Sequence, residues 1–329
     1  MFDHFLDALA ASTNLEILEL VSVLQRIQGD WVEDMVAGRN PLSLRHLKSL
    51  VLIAHPPVYT SRFLSHVLLS PAVSVRIDGY LGSVVERDVT ETVSAMLPSN
   101  PAIVLPALVL AKEAVINIYE PEYSLSCSVE PRERGSHLIT LLIQSSLIPQ
   151  WNDFSSHHGA RDLLNVLASA PLTKLDFVGD CGDVAAETWT EIFNTYPLLE
   201  TLYLGITGTT KTAFTGLMDA GPTSDSPVAC PRLRSVEISG PFFKKAIDVA
   251  LRCLRDRAEK GYRLETISVD LWGDRRDDTL LETKYTPQLQ ELVTDVYCYA
   301  RLSVQSLDVK DSKRATEAGD EPECDKEVI

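Results

Sequence analysis

The chain has 329 residues, 45% hydrophobic and 23% charged, a balance that supports a packed core and excludes wholesale disorder. Thirty Lys and Arg against forty-six Asp and Glu leave a net charge of −16, so the surface repels phosphate backbones and anionic headgroups. Nucleic acid and membrane surfaces are therefore not expected partners, and residues 310–329, with seven acidic and four basic side chains, account for only −3 of that charge.

In chain order, Phe2, Phe5, Leu6 and Leu9 predict a short amphipathic helix that caps whatever follows. Asp3 and Asp7 stand where a secretory signal would carry Lys or Arg. The richest apolar window, 102–111, is broken by Pro106 and too short to span a bilayer. The expected location is cytoplasmic or nuclear. Six cysteines (127, 181, 230, 253, 298 and 324) include no pair at C-x-x-C spacing, so reduced thiols are expected and a zinc knuckle is not.

A pattern L-x-x-h-x-h, with h apolar, then recurs. It occurs at Leu15, Leu18 and Leu20, and again at Leu47, Leu50 and Leu52. A degenerate copy at Val73, Val75 and Ile77 is entered from a helix-like stretch over 62–69. The middle differs: 115–118, 124–129 and 137–143 read as three strands with no helix-length connection between the last two. An antiparallel insertion over about 112–145 is expected. A helix resumes at 160–167. Four full copies follow: Leu172, Leu175, Phe177; Leu199, Leu202, Leu204; Leu233, Val236, Ile238; Leu264, Ile267, Val269. Their first leucines are 27, 34 and 31 residues apart, each copy is preceded by Pro or Gly, and helical spacing of Trp189, Ile192 and Phe193 or of 246–254 separates them. A last copy is expected at Val304, Leu307 and Val309, before a disordered acidic tail over 310–329.

One such unit cannot bury its own strand, so neighbours must stack. The expected fold is α/β: a leucine-rich-repeat horseshoe over 1–309, a solenoid with a curved parallel sheet inside and helices outside. Alternation along each strand turns its fourth and sixth positions inward, and the third, fifth and seventh toward the concave face. That face would present Lys174, Asp176, Thr201, Tyr203, Ser235, Glu237, Thr266, Ser268 and Asp270, with Asp176, Tyr203, Glu237, Ser268 and Asp270 forming one acid-rich strip suited to a basic client protein.

Residues 205–212 follow a strand and precede a helix as a phosphate loop does, but Thr210 stands where the backbone wrap needs glycine, so an inter-repeat turn is expected. His157 and His158, placed in a loop before Ala160, lack ligand-spaced partners apart from Asp153. His55 and His66 read as structural or surface residues. No nucleophile elbow, dinucleotide fingerprint or kinase motif is present, so neither enzymatic activity nor a cofactor or metal is expected.

The segments 168–175, 196–202, 230–236 and 257–267 resemble the leucine-rich-repeat half of the F-box proteins found in mushroom-forming fungi. The resemblance implies a substrate receptor: an F-box binds the Skp-type adaptor of a cullin ubiquitin ligase, and the repeats present a client. An F-box is a three-helix unit opened by Leu-Pro-x-Glu, and the residues before Leu15 have no room for one. Adaptor binding is therefore expected only if an F-box precedes the residues given. The alternative is a free-standing leucine-rich-repeat scaffold or regulator.

Overall fold

The computed structural model describes residues 1–28, 40–80, 92–119, 122–130, 138–144, 151–179, 184–221 and 226–302. Helix α1 (Phe2–Ala11) is followed by β1 (Ile17–Val21), α2 (Leu24–Gln28), β2 (Leu42–Ser43), β3 (Ser49–His55), α3 (Pro57–Ser65), β4 (Val67–Leu68) and β5 (Ser74–Tyr80). A 3-10 turn (Val93–Met96) and α4 (Pro101–Val104) lead into β6 (Glu113–Tyr119), β7 (Glu122–Ser128) and β8 (Ile139–Gln144). Strand and helix then alternate through α5 (Trp151–Leu167), β9 (Lys174–Gly179), α6 (Ala186–Thr195), β10 (Thr201–Ile206), α7 (Lys211–Asp219), β11 (Ser235–Pro241), α8 (Lys244–Glu259) and β12 (Thr266–Gly273). Helix α9 (Arg275–Leu280), a π-helical turn (Leu281–Tyr285), α10 (Thr286–Leu292) and β13 (Asp295–Leu302) complete the order.

Eleven strands form one mostly parallel sheet, ordered β1-β3-β5-β8-β7-β6-β9-β10-β11-β12-β13, while β2 and β4 pair separately. Every copy of the repeat from Leu15 to Val269 becomes a strand of this sheet, because its apolar residues at period two fit a pleated, one-side-buried surface. Two inward rows run unbroken across all eleven strands. One is Leu18, Leu50, Val75, Ile139, Cys127, Ala114, Leu175, Leu202, Val236, Ile267 and Val296. The other, two residues on, passes through Leu20, Ile77, Ile116, Phe177, Ile238 and Cys298. Each fully buried aliphatic member contributes roughly 1.5–3 kcal/mol. The helices pack against this side in a single core that runs from Phe2 to Val293.

The antiparallel insertion is present. Only β7 runs against its neighbours, pairing with both β6 and β8. Its order is reversed along the sheet: β6 lies beside β9 and β8 beside β5, so the chain enters the insertion on the far side and walks back. Helix α5 then recrosses the two strands it passes, packing on β6 and β7.

Two expectations are corrected, and the sheet holds one strand that was not expected. The helix-like 62–69 stretch stops at Ser65, and Val67 and Leu68 instead extend as β4. The strand beside β12 is β13, whose Val293, Val296 and Cys298 fit L-x-x-h-x-h with weaker residues. The copy expected at Val304, like the 310–329 tail, lies outside the described residues. His157 and His158 fall within α5, not in a loop.

Local chemistry explains several joints. Pro57 opens α3 at a position where its missing N–H costs nothing. Asp274 caps α9, accepting from Arg276 N at 2.7 Å and Asp277 N at 3.0 Å, while the Asp277 carboxylate accepts from Asp274 N. Gly179 closes β9 at φ +112°, and a Cβ there would lie 1.8 Å from the Ile118 carbonyl oxygen. Arg257, buried on α8, donates to the carbonyls of Ala229 (2.7 Å) and Cys230 (3.0 Å) and so fixes the turn that feeds β11.

A bulge at the end of β3 places Ala54 at φ +57° and turns His55 fully inward, where Nε2 donates to the Leu20 carbonyl at 3.0 Å. Burial lowers the pKa of His55, the larger effect, against the opposing pull of that carbonyl. The native state therefore binds fewer protons than the unfolded chain just below the usual histidine pKa. Stability contributed by the neutral ring is complete above about pH 6.5 and is lost as pH falls through the lowered native pKa. Urea titrations of wild type and His55→Gln from pH 8 to pH 5 should show a downward stability slope that the variant lacks; parallel slopes would contradict this assignment.

Candidate recognition surface

On the face opposite the helices, alternate positions of every strand but β7 stay half-buried or exposed, while Ser126 and Ser128 of β7 are buried there. The pairing register arranges them in rows. Lys174, Thr201, Ser235 and Thr266 form one, continued by Glu113 and Asp295 at its two ends. Asp176, Tyr203, Glu237 and Ser268 form the next, continued by Val115 and Tyr297. Asp270 does not belong to that strip: it stands one pleat further on, in register with Ser239 and Tyr299, because it lies two residues beyond Ser268 on the same strand. All nine expected residues, Asp270 included, lie on this face.

Across the first half of the sheet the same face carries Val51 and Ile53 on β3, Arg76 and Asp78 on β5, and Thr140 and Leu142 on β8. Some of the carboxylates there have partners. Arg76 grips Asp78 through Nε (3.1 Å to each oxygen) and Nη2 (2.8 Å), and Gln144 donates to Glu122 at 3.0 Å. Lys174 likewise neutralises Asp176, 3.4 Å away along β9. Glu237, half-buried on β11, has no cation within ion-pair distance among the described residues.

Aromatic side chains frame the β10–β13 end. Tyr203 lies folded along its strand over Gly205, where a Cβ would meet its hydroxyl oxygen at 2.7 Å, so the missing side chain makes the seat for the ring. Tyr297 and Tyr299 on β13 are 49% and 55% exposed, and Trp272 at the end of β12 is 37% exposed. Trp272 continues the outward alternation of Thr266, Ser268 and Asp270 on β12, whereas the two tyrosines lie on β13, a strand the leucine pattern does not predict. The signal was Val293-x-x-Val296-x-Cys298, in the same phase as Leu264-x-x-Ile267-x-Val269.

The remaining candidates for chemistry take structural places. Residues 207–210 form the turn between β10 and α7, with Thr209 Oγ1 accepting from Lys211 N at 3.2 Å. Among the described residues no three His, Cys, Asp or Glu side chains are grouped to hold a metal, and no helix is long and apolar enough to cross a membrane. Cys127, Cys230 and Cys253 are buried free thiols that burial pushes up to about 12; Cys181 and Cys324 lie outside the described residues. His66, just past α3, sets its ring 5.5 Å from that of Phe2.

One buried polar cluster has the composition of a catalytic group. Asp162 on α5 accepts four hydrogen bonds: from Tyr123 OH (2.5 Å), Thr92 Oγ1 (2.8 Å), Val93 N (2.8 Å) and Ser94 N (3.3 Å). Burial, then the Asp162 charge and its hydrogen bond, holds the Tyr123 hydroxyl well above the usual tyrosine range, so it remains a donor. These bonds tie the antiparallel strand β7, helix α5 and the 3-10 turn into one joint. Searches of family models, curated proteins and solved structures find no match to this chain.

If the cluster is a joint, Asp162→Ala orphans several buried donors and should cost about 3–5 kcal/mol in urea unfolding, against about 1–3 kcal/mol for Tyr123→Phe. Losses below about 1 kcal/mol for Asp162→Ala would remove it from the account.

Proposed function

We propose that this chain is a non-enzymatic protein–protein recognition module: a leucine-rich-repeat horseshoe, similar to the substrate-binding half of an F-box ubiquitin-ligase receptor, that takes a client protein on the open face of its sheet. The observation that carries this reading is the one-sided sheet. Eleven strands bury one face under helices and leave the other as a continuous, ordered, mostly polar surface in which successive strands place side chains in straight rows. Such a surface offers what extended recognition needs, many side chains at fixed spacing on a rigid support.

The client is a protein of basic character, and the work is done in the cytoplasm or nucleus, a setting suited to the free thiols Cys127, Cys230, Cys253 and Cys298. Ligase recruitment through a Skp-type adaptor belongs to the reading only where an F-box accompanies these repeats. Residues 2–11 do not supply one, since Phe2, Leu6 and Leu9 of α1 are committed to the core. A second reading is a free-standing scaffold or regulator using the same face.

The test is a comparison of two surfaces. Client capture from native lysate should be lost with Thr140→Trp, Thr201→Trp and Ser268→Trp together, neutral bulk spread along the open face, and kept with Glu187→Arg and Glu259→Arg on exposed helix positions. The reverse pattern would move recognition to the helices and refute the proposal. Co-purification of a Skp-type adaptor with residues 1–329 alone would overturn the assignment of α1.

A further inference from the structure

The β10–β13 end of the open face has the form of a trough. Its floor is two strands wide: Ser235, Glu237 and Ser239 on β11, Thr266, Ser268 and Asp270 on β12. One wall is Tyr203, laid over Gly205 on β10; the other is Tyr297 with Tyr299 on β13, and Trp272 stands at the end of β12. At about 4.8 Å per strand, the walls are roughly 14 Å apart, the width of one extended polypeptide with its side chains.

What sets this end apart is a carboxylate and exposed aromatic rings on neighbouring strands. Asp78 and Asp176 on the same face are paired with Arg76 and Lys174, whereas Glu237, set between Tyr203 and Ser268, has no cation within ion-pair distance among the described residues. Asp270 adds a second carboxylate to the floor, in register with Tyr299. Glu237 lies beside half-buried Tyr203 on β10 and two strands from exposed Tyr297 on β13, and a carboxylate with aromatic rings within an arginine side chain's reach is complementary to a guanidinium, which can pair with the anion and stack on a ring. An ammonium group can do the first well and the second less well.

We propose that this trough binds an extended, arginine-bearing segment of a partner protein, with Glu237 pairing a guanidinium and Tyr297 and Tyr299 stacking on the same or the next arginine. The inference rests on the recognition reading above and specifies its ligand chemistry. It commits to arginine over lysine, and to β10–β13 over the Thr140 and Leu142 end of the face.

The experiment uses the full chain and three capped probes, hexa-arginine, hexa-lysine and hexa-glutamate, measured by fluorescence anisotropy at 0.05 and 0.15 M salt. Hexa-arginine should bind more tightly than hexa-lysine, and hexa-glutamate not at all. Glu237→Gln should weaken hexa-arginine about tenfold, and Tyr297→Ala with Tyr299→Ala several-fold while narrowing the preference over lysine. Glu187→Arg with Glu259→Arg, on the helix side, should change hexa-arginine affinity by less than about twofold beyond the general salt effect.

Equal affinity for arginine and lysine, or losses as large for the helix-side pair as for Glu237→Gln, would mean generic attraction to an acidic protein and would overturn the proposal. The two readings can fail separately. Client capture that responds to the neutral tryptophans but not to Glu237→Gln sinks the trough and leaves open-face recognition standing. Hexa-arginine binding that maps to Glu237, with client capture indifferent to the open face, does the opposite. Circular dichroism of each variant verifies that it folds, and Glu237→Asp, which keeps the charge, should retain most of the affinity.

Discussion

Everything in this structure depends on a lateral constraint. A strand of six to eight residues with two or three apolar side chains on one face cannot bury them alone; it needs a strand on each side and a helix above. Leu175 and Phe177 are fully buried because Ala114 and Ile116 flank them on one side, Leu202 and Leu204 on the other, and α5 and α6 lie over that face. Repetition of this arrangement gives two unbroken inward rows, and parallel pairing with returning helices puts all the helices on the buried side. The bare outer face is therefore a consequence of how the core is built, and it is the surface on which the functional proposal stands.

The insertion shows how firmly the constraint holds. Strands β6 to β8 enter in reverse order and one of them runs antiparallel, yet the inward rows pass through Cys127 and Ala114, and through Leu125 and Ile116, without a break. The reversal brings a cost of its own, since a long crossover leaves a 3-10 turn to be satisfied inside the protein. Asp162 and Tyr123 meet that need, the first by accepting from the turn's backbone and the second by bridging α5 to β7. A carboxylate and a tyrosine at hydrogen-bond distance would suggest chemistry in an open cleft. Enclosed, with the Asp162 carboxylate accepting from two hydroxyls and two backbone N–H groups, they act as a clamp.

Much of this was legible in the residues. The L-x-x-h-x-h copies fixed the strands from Leu15 to Val269 and their facing, since period-two burial follows directly from where the apolar residues fall. The outward placement of Lys174, Asp176, Thr201, Tyr203, Ser235, Glu237, Thr266 and Ser268 follows from the same alternation. What failed did so for identifiable reasons. Strand β13 begins with Val293 in place of leucine and carries tyrosines outward, so its pattern is weak until the pairing with β12 is known. Asp270 was assigned by facing alone, and facing does not distinguish one pleat from the next. The reversed order of β6 to β8 has no local signature: hairpin connections say that the three strands are neighbours, but not which end meets β5. The Glu237 trough needed both β13 and the seat of Tyr203 on Gly205, neither of which a single strand reveals.

The central claim is that one face of the sheet is sealed by helices and the other is bare. Hydroxyl-radical footprinting with mass-spectrometric readout addresses it residue by residue, because oxidation of an aromatic ring follows its exposure. Tyr297, Tyr299, Tyr119, Tyr80 and Trp272, on the open face, should be oxidised readily, while Tyr123, Tyr196, Tyr285 and Trp189, on the buried side, should be protected until the chain unfolds. Protection of Tyr297 and Tyr299 to the level of Tyr196 would mean that a further layer covers the sheet, and that result would contradict the account.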